Sequence, residues 1–300
     1  MRCLTPAIVV IGLLGAGCAA DSEPADASSA PSQPSEPVAS SAPDFTFHDV
    51  TDAALQPYFA KQVDVFGVPI VGTAAIDDDK VLHAAEVMAQ YLDNDEDGEA
   101  DDPRVVQAML DENAVLVMFA DFDELGESGL RENEALREHY EVQDLEGHET
   151  IPPGTERAGD EGDTFDGAIE EVWHLVSFAG YAVAYPDAFG PQPGSRLADA
   201  MDLARGGRFI DIPERYPEAA WYSYYDQTCE YECMAIEYVY WALSTHLGAQ
   251  ADPGRCEWID AEWRPCTTEQ LAETDPVVVA LLTDPQYRVP SRLPDGSYRR

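Results

Sequence analysis

Glu170-Glu171-Val172-Trp173-His174 sets two carboxylates and an imidazole within five residues of a segment that reads as helix. On a helix, positions 170 and 174 lie one turn apart on one face and can hold one metal ion. Position 171, about 100° round the axis, can bring its carboxylate to a reacting water as general base. The plain alternative is an i,i+4 ion pair between Glu170 and His174, which stabilises a helix by about 0.2–0.5 kcal/mol and does no chemistry. A second constellation is Asp93-Asn94-Asp95-Glu96-Asp97-Gly98-Glu99-Ala100-Asp101. Calcium takes about six to eight oxygens converging in a tight turn. Asp93, Asp95, Asp97 and Asp101 offer side-chain oxygens, the carbonyl of Glu99 another, and Gly98 permits the bend. Its alternative is a solvated acidic turn that caps the helix after it. Other chemistries lack their parts: the chain has no Gly-x-Ser-x-Gly, and no second Glu-x-x-His for a di-iron bundle.

These residues need elements to position them. Phe45 to Val50 alternates as a strand, and Val63 to Val71 reads as another, with Pro69 demoting it towards an edge. Asp77 to Leu92 has apolar residues at Val81, Leu82, Ala85, Met88, Ala89 and Leu92, the spacing of an amphipathic helix, with His83 on its flank as a packing residue. A short helix follows from Pro103 to Leu110, capped by Asp102. Ala114 to Phe119 is a continuous apolar run of strand length, hence a central strand. The second half reads as helices over 165–181, 195–204, 229–247 and 269–282, the last interrupted by Pro276. The expectation is one α+β domain over 44–300 with two lobes, a small sheet with helices and then a mainly helical lobe.

The segment from Ala168 to Tyr181 resembles the active helix of zincin metallopeptidases, with the first histidine replaced by Glu170. The resemblance implies a zincin-like fold and a third ligand from a later helix. In the gluzincin branch that ligand is a glutamate, and Glu237, in Cys233-Met234-Ala235-Ile236-Glu237-Tyr238-Val239-Tyr240-Trp241, fills the place. A carboxylate among apolar neighbours needs a partner, because burying it alone costs several kcal/mol. The implied set is Glu170, His174 and Glu237 on Zn2+ or another divalent transition metal, Glu171 as base, and a tyrosine of the Trp221-Tyr222-Ser223-Tyr224-Tyr225 cluster as oxyanion donor. Two carboxylates and one imidazole leave the metal a poorer Lewis acid than the usual set does. The acidic loop is similar to the calcium loops of EF-hands, dockerins and thrombospondin repeats, and departs from the EF-hand at its twelfth place, where Arg104 stands for the bidentate glutamate. That departure points to structural Ca2+ rather than sensing.

Fifty-eight acidic residues against 17 basic ones give a net charge of −41. Such a chain repels nucleic acid and anionic bilayer surfaces, and divalent cations are its natural partners. The apolar run Ala7 to Leu14, then Gly15-Ala16-Gly17-Cys18, resembles a bacterial lipoprotein signal, with Gly15 where the usual lipobox has leucine. It implies removal of residues 1–17, lipidation of Cys18, and membrane attachment through that lipid on an extracytoplasmic face of the cell envelope. Residues 18–43, rich in Ser, Pro and Ala, read as a disordered spacer. Four cysteines remain, an even number for an oxidising compartment, and of three pairings the expected one joins Cys229 to Cys233 and Cys256 to Cys266. The function so implied is a lipid-anchored, metal-dependent hydrolase acting on peptide substrates. Its alternative is a non-catalytic, calcium-stabilised surface lipoprotein that keeps the zincin helix as scaffold.

Overall fold

The computed structural model describes residues 43–155 and 165–298. The signal segment, Cys18 and the spacer as far as residue 42 lie outside the described residues. Five strands make one mixed sheet in the order β1 (Asp44–His48), β2 (Lys61–Val65), β3 (Val68–Gly72), β4 (Val115–Phe119) and β5 (Val142–Glu146). The first three run antiparallel, then β4 joins β3 and β5 joins β4 in parallel. Parallel neighbours need crossovers. Helices α1 (Asp78–Leu92) and α2 (Pro103–Asp111) supply the first, and α3 (Phe122–Ser128) and α4 (Glu134–Arg137) the second. β4 is buried along its whole length, as its apolar run requires.

The single strand expected over 63–71 is instead a hairpin. Phe66 and Gly67 both have positive φ, 52° and 89°, and Val65 pairs with Val68 across them. A two-residue turn with both central residues in the left-handed region matches the twist of its strands. Phe-Gly lacks the Asn-Gly signature of such turns, so the apolar run on either side hid it. Pro69 therefore sits on an interior strand. Pairing of β3 with β4 begins only at Ile70, so the missing N–H of Pro69 breaks no bond on that side.

Helix α5 (Gly167–Leu175) passes directly into a π-helical segment, Val176–Ala182, where one continuous α-helix was expected. Gly180 lies on that segment against α2: a Cβ there would come 2.7 Å from Val105 Cγ1. Then follow α6 (Pro186–Phe189), α7 (Arg196–Ala204), α8 (Tyr231–His246), α9 (Pro253–Ile259), α10 (Thr268–Thr274) and α11 (Pro276–Leu282). Pro276 opens α11 and separates it from α10, as its fixed φ and missing N–H dictate. α8 is buried on nearly every face, which its all-round apolar sequence permits, and it contacts α5, α7, α10 and α11. The class is α+β, a sheet followed by helices, and α5 joins the two parts: β5 and α1 pack against it on one side, α8 on another.

Both expected disulfides form, Cys229–Cys233 and Cys256–Cys266, with Cα–Cα distances of 5.3 and 5.5 Å. They point to an oxidising, extracytoplasmic compartment. Among the described residues no helix is long and apolar enough to cross a membrane.

Candidate metal centre

The rotation of α5 about its axis is fixed at its start. Asp166 caps the helix: its Oδ1 accepts the N–H of Ala168 at 3.2 Å and of Ile151 at 2.9 Å, while Oδ2 lies 2.6 Å from His83 Nε2. His83 is thus a buried partner of the helix cap. The Tyr91 hydroxyl donates to the carbonyl of Ile169, and the Trp173 ring lies between those of Tyr91 and Tyr181. With these contacts made, Glu170 and His174 face α8 and Glu171 faces β5.

His174 and Glu237 are each 1% exposed. His174 Nδ1 stands 3.2 Å from Glu171 Oε2, which also accepts Gln143 Nε2 at 2.6 Å. When Nδ1–H donates to Glu171, Nε2 carries the ring's free lone pair. That nitrogen has no hydrogen-bond partner. Glu237 Oε2 lies 3.6 Å away, beyond hydrogen-bond length, and Glu237 Oε1 is also buried without a partner. One ligand atom each from Glu170, His174 and Glu237 lie within 4.8 Å of one another. Buried polar atoms left unpaired demand an explanation, and three converging lone pairs fit a divalent cation. The simple i,i+4 pair is not what forms: the carboxylates closest to the imidazole are those of Glu171 and Glu237.

The electrostatics agree. Burial raises Glu170, Glu171 and Glu237 above the usual carboxylate range, the last two far above it. His174 opposes the rise at Glu170 and Glu237, and the neighbouring acids add to it at Glu171 and Glu237. Without a cation such a group must hold protons, and a bound cation would replace them.

Of the tyrosine cluster, Tyr222 spends its hydroxyl on the Met234 carbonyl at 2.8 Å, and Tyr225 is 51% exposed. Tyr224 is buried: burial pushes its hydroxyl up, and the carboxylates of Glu237, Glu262 and Glu170 push it further. Sequence reasoning missed Gln143, because β5 is too polar to read as a strand. It also missed Tyr240, whose ring lies 5.5 Å from that of His174. Tyr240 stands three residues after Glu237 on a helix, and that spacing was a usable signal.

The acidic loop brings carboxylate oxygens of Asp93, Asp95 and Asp97 within 4.8 Å of one another, and the Asp101 carboxylate is not in that group. Asp93 is fully buried. Its carboxylate accepts the N–H of Asp97 at 3.1 Å and of Gly98 at 2.8 Å, and the hydroxyl of Tyr298. Asp101 accepts the N–H of Asn94 instead, and Arg104 pairs with Asp102. Gly98 has φ +90°, the bend its position required. The loop is also the mooring of the chain end: Asn94 Oδ1 accepts the N–H of Ser291 and Arg292, and Gln90 Oε1 those of Asp295 and Gly296.

A further group of acids lies beneath α5. Glu146, 2% exposed beside Glu149, is pushed up to about 11, mainly by burial and then by Glu149. Burial likewise raises Glu141 to about 8 and Glu262 to about 7. A carboxyl raised on folding binds more protons in the native state, so its contribution is full below the ordinary glutamate value and falls as pH rises towards the folded one. The melting temperature is therefore expected to fall from pH 5 to pH 9. Glu146→Gln should flatten that fall and stabilise the protein at pH 8 by about 1–3 kcal/mol. Melting curves of the two proteins across this range check it, and parallel curves would contradict it.

No protein-family model matches the chain, and neither a curated protein nor a solved structure matches it.

Proposed function

We propose that the protein is an exported, metal-dependent hydrolase acting on peptides, with Glu170, His174 and Glu237 as ligands of Zn2+ or another divalent transition metal. The observation that carries this reading is the pair of buried, unpartnered atoms, His174 Nε2 and Glu237 Oε1, beside Glu170. A cation held there supplies Lewis acidity. Glu171 keeps Oε2 on Gln143 and His174 Nδ1, which fixes the imidazole, and it is the carboxylate proposed to take a proton from water. The oxyanion donor in this reading is a tyrosine of the 221–225 cluster, and Tyr224, whose hydroxyl is raised by burial and by the charge of Glu237, is the member proposed for it. The peptide substrate rests on the resemblance of α5 to the zincin helix. The reading extends to a lipid at Cys18 that tethers the domain to the envelope through the spacer, and to Ca2+ held by Asp93, Asp95 and Asp97.

One observation favours the non-catalytic alternative: Glu170 stands where an imidazole would leave the metal a stronger Lewis acid. Hydrolysis of a mixed peptide library by the zinc- or manganese-loaded protein decides between them. Chelator-sensitive cleavage is expected, and Glu171→Gln should keep the metal and lose at least about 100-fold in rate. Metal-loaded protein that cleaves nothing, or Glu171→Gln as active as wild type, would leave the scaffold reading.

A further inference from the structure

The helix that carries the candidate ligands is held near both of its ends by one segment, the end of the chain. Residues 291–298 form a strap that buries Pro294, Gly296 and Tyr298 and leaves the residues between them exposed, so one side of it faces the protein. Gln90 Oε1, on α1, accepts the N–H of Asp295 and of Gly296, each at 2.9 Å. The Tyr298 hydroxyl donates to Asp93, and its ring centroid lies 5.8 Å from that of Phe45. So moored, Gly296 is pressed against His83. A Cβ there would come 2.1 Å from His83 Nδ1 and 2.2 Å from Cε1, and the next atom it would meet, at 3.4 Å, is Cγ of the same ring. Gly296 also has φ +68°, so both its conformation and the space beside it call for glycine.

His83 passes this contact on to α5. Its Nδ1 has no hydrogen-bond partner, so the buried ring is placed by the strap on one side and, through Nε2, by Asp166 Oδ2 at 2.6 Å on the other. Asp166 accepts the N–H of Ala168 in the first turn of α5, and Glu170 and Glu171 stand on the turn that follows. The far end of the helix meets the same segment of chain. The Tyr181 hydroxyl, in the π-helical turns, donates to the carbonyl of Arg288 at 3.0 Å, and Arg288 Nη1 donates to the carbonyl of Asp101 at 2.5 Å. Arg288 has φ +49°, a conformation that residues other than glycine keep only where their surroundings hold them.

We infer that the chain end is a clasp on the metal-bearing helix, with Gly296 and His83 as its positioning residues. The strap sets the imidazole of His83, the imidazole sets Asp166, and Asp166 sets the start of α5 and with it the direction of Glu170, Glu171 and His174. Neither positioning residue touches the metal; each acts through the next. This inference rests on the proposed metal centre and adds to it residues from α1 and from the end of the chain. Residues that act on a site through intermediate contacts typically shift its affinity by about 2- to 30-fold.

The test is a double-mutant cycle on the full chain, read by zinc affinity, by the ligand-field spectrum of the Co2+ form, and by hydrogen exchange of the Ile151 and Ala168 amides in the metal-free protein. Gly296→Ala is expected to weaken zinc about fivefold or more, to alter the spectrum and to speed exchange at both amides. In a His83→Ala background the ring that its Cβ would strike is gone, so the same substitution should change zinc affinity less than about twofold. His83→Gln, which can still offer an N–H to Asp166, should recover most of what His83→Ala loses. Tyr181→Phe is the milder variant: it keeps the ring, removes only the bond to the chain end, and should shift the Co2+ spectrum. Leu136→Ala, in the separate apolar cluster on the other face of the sheet, should lower the melting temperature and leave zinc affinity unchanged. Gly296→Ala and Tyr181→Phe that match wild type in affinity, spectrum and exchange, or a Gly296→Ala loss as large without His83 as with it, would overturn the clasp and leave the metal centre standing. Wild-type protein that binds no transition metal would overturn the metal centre and the clasp's role in it together.

Discussion

Glu170→His is expected to raise zinc affinity by tenfold or more. The substitution rebuilds His-Glu-Val-Trp-His on α5 and gives the ion two imidazoles and the Glu237 carboxylate, a donor set that zinc favours over two carboxylates and one imidazole. It also removes one of the acids that raise Glu171 and Glu237, so less work is needed to ionise the others. The position admits the change because Glu170 is only half-buried at the face of α5 that looks towards α8. An ordinary helix predicts something else. There the exchange costs a few tenths of a kcal/mol and brings no gain in metal binding. Titration of both proteins with zinc under one chelator decides, and equal, weak binding would contradict the metal centre.

Asp93→Ala is expected to be the most damaging single change in the acidic loop, at about 2–4 kcal/mol, and to abolish stabilisation by calcium. Asp93 is fully buried and accepts two backbone N–H groups and the Tyr298 hydroxyl, so its removal strands three donors and unmoors the chain end. Calcium at about 100 times its Kd would stabilise the wild type by about 2.7 kcal/mol, and the variant by nothing. Asp95→Ala makes the comparison specific: its carboxylate joins the cluster from an exposed position, so calcium stabilisation should be lost with little change in the calcium-free protein. Melting curves with calcium and with chelator check both. A wild type indifferent to calcium would leave only the solvated turn, with Asp93 as its buried staple.

The parts of the molecule that were legible are those where a local pattern suffices. Asp102 and Pro103 announce α2, Pro276 divides α10 from α11, and the apolar run at Ala114 marks β4. That Glu170 and His174 share a helix face was legible because a helix turns once in about 3.6 residues, whereas Glu237 entered through the resemblance to the zincin helix, and the structure sets one atom of each within 4.8 Å of the others. What stayed hidden depends on contacts between distant segments. β5, with Gln143, Asp144 and Glu146, is too polar to read as a strand and is buried only because α5 lies over it. The turn at Phe66-Gly67 lacks its usual residues, so a hairpin read as one strand. The π-helical turns after Leu175 pack against α2, a contact that no periodicity in the segment reveals. The roles of Asn94 and Gln90 depend on residues about 200 positions later, Ser291 to Gly296, and no local signal connects them.

The most direct test of the metal centre is elemental analysis of the purified protein after loading with zinc in the presence of calcium and removal of free ions. Wild type should carry one transition-metal ion per chain. Glu237→Gln, which keeps the size of the side chain and removes its charge, should carry almost none and retain its calcium. Equal zinc in both proteins, or calcium alone in the wild type, would contradict the assignment of Glu170, His174 and Glu237 as ligands.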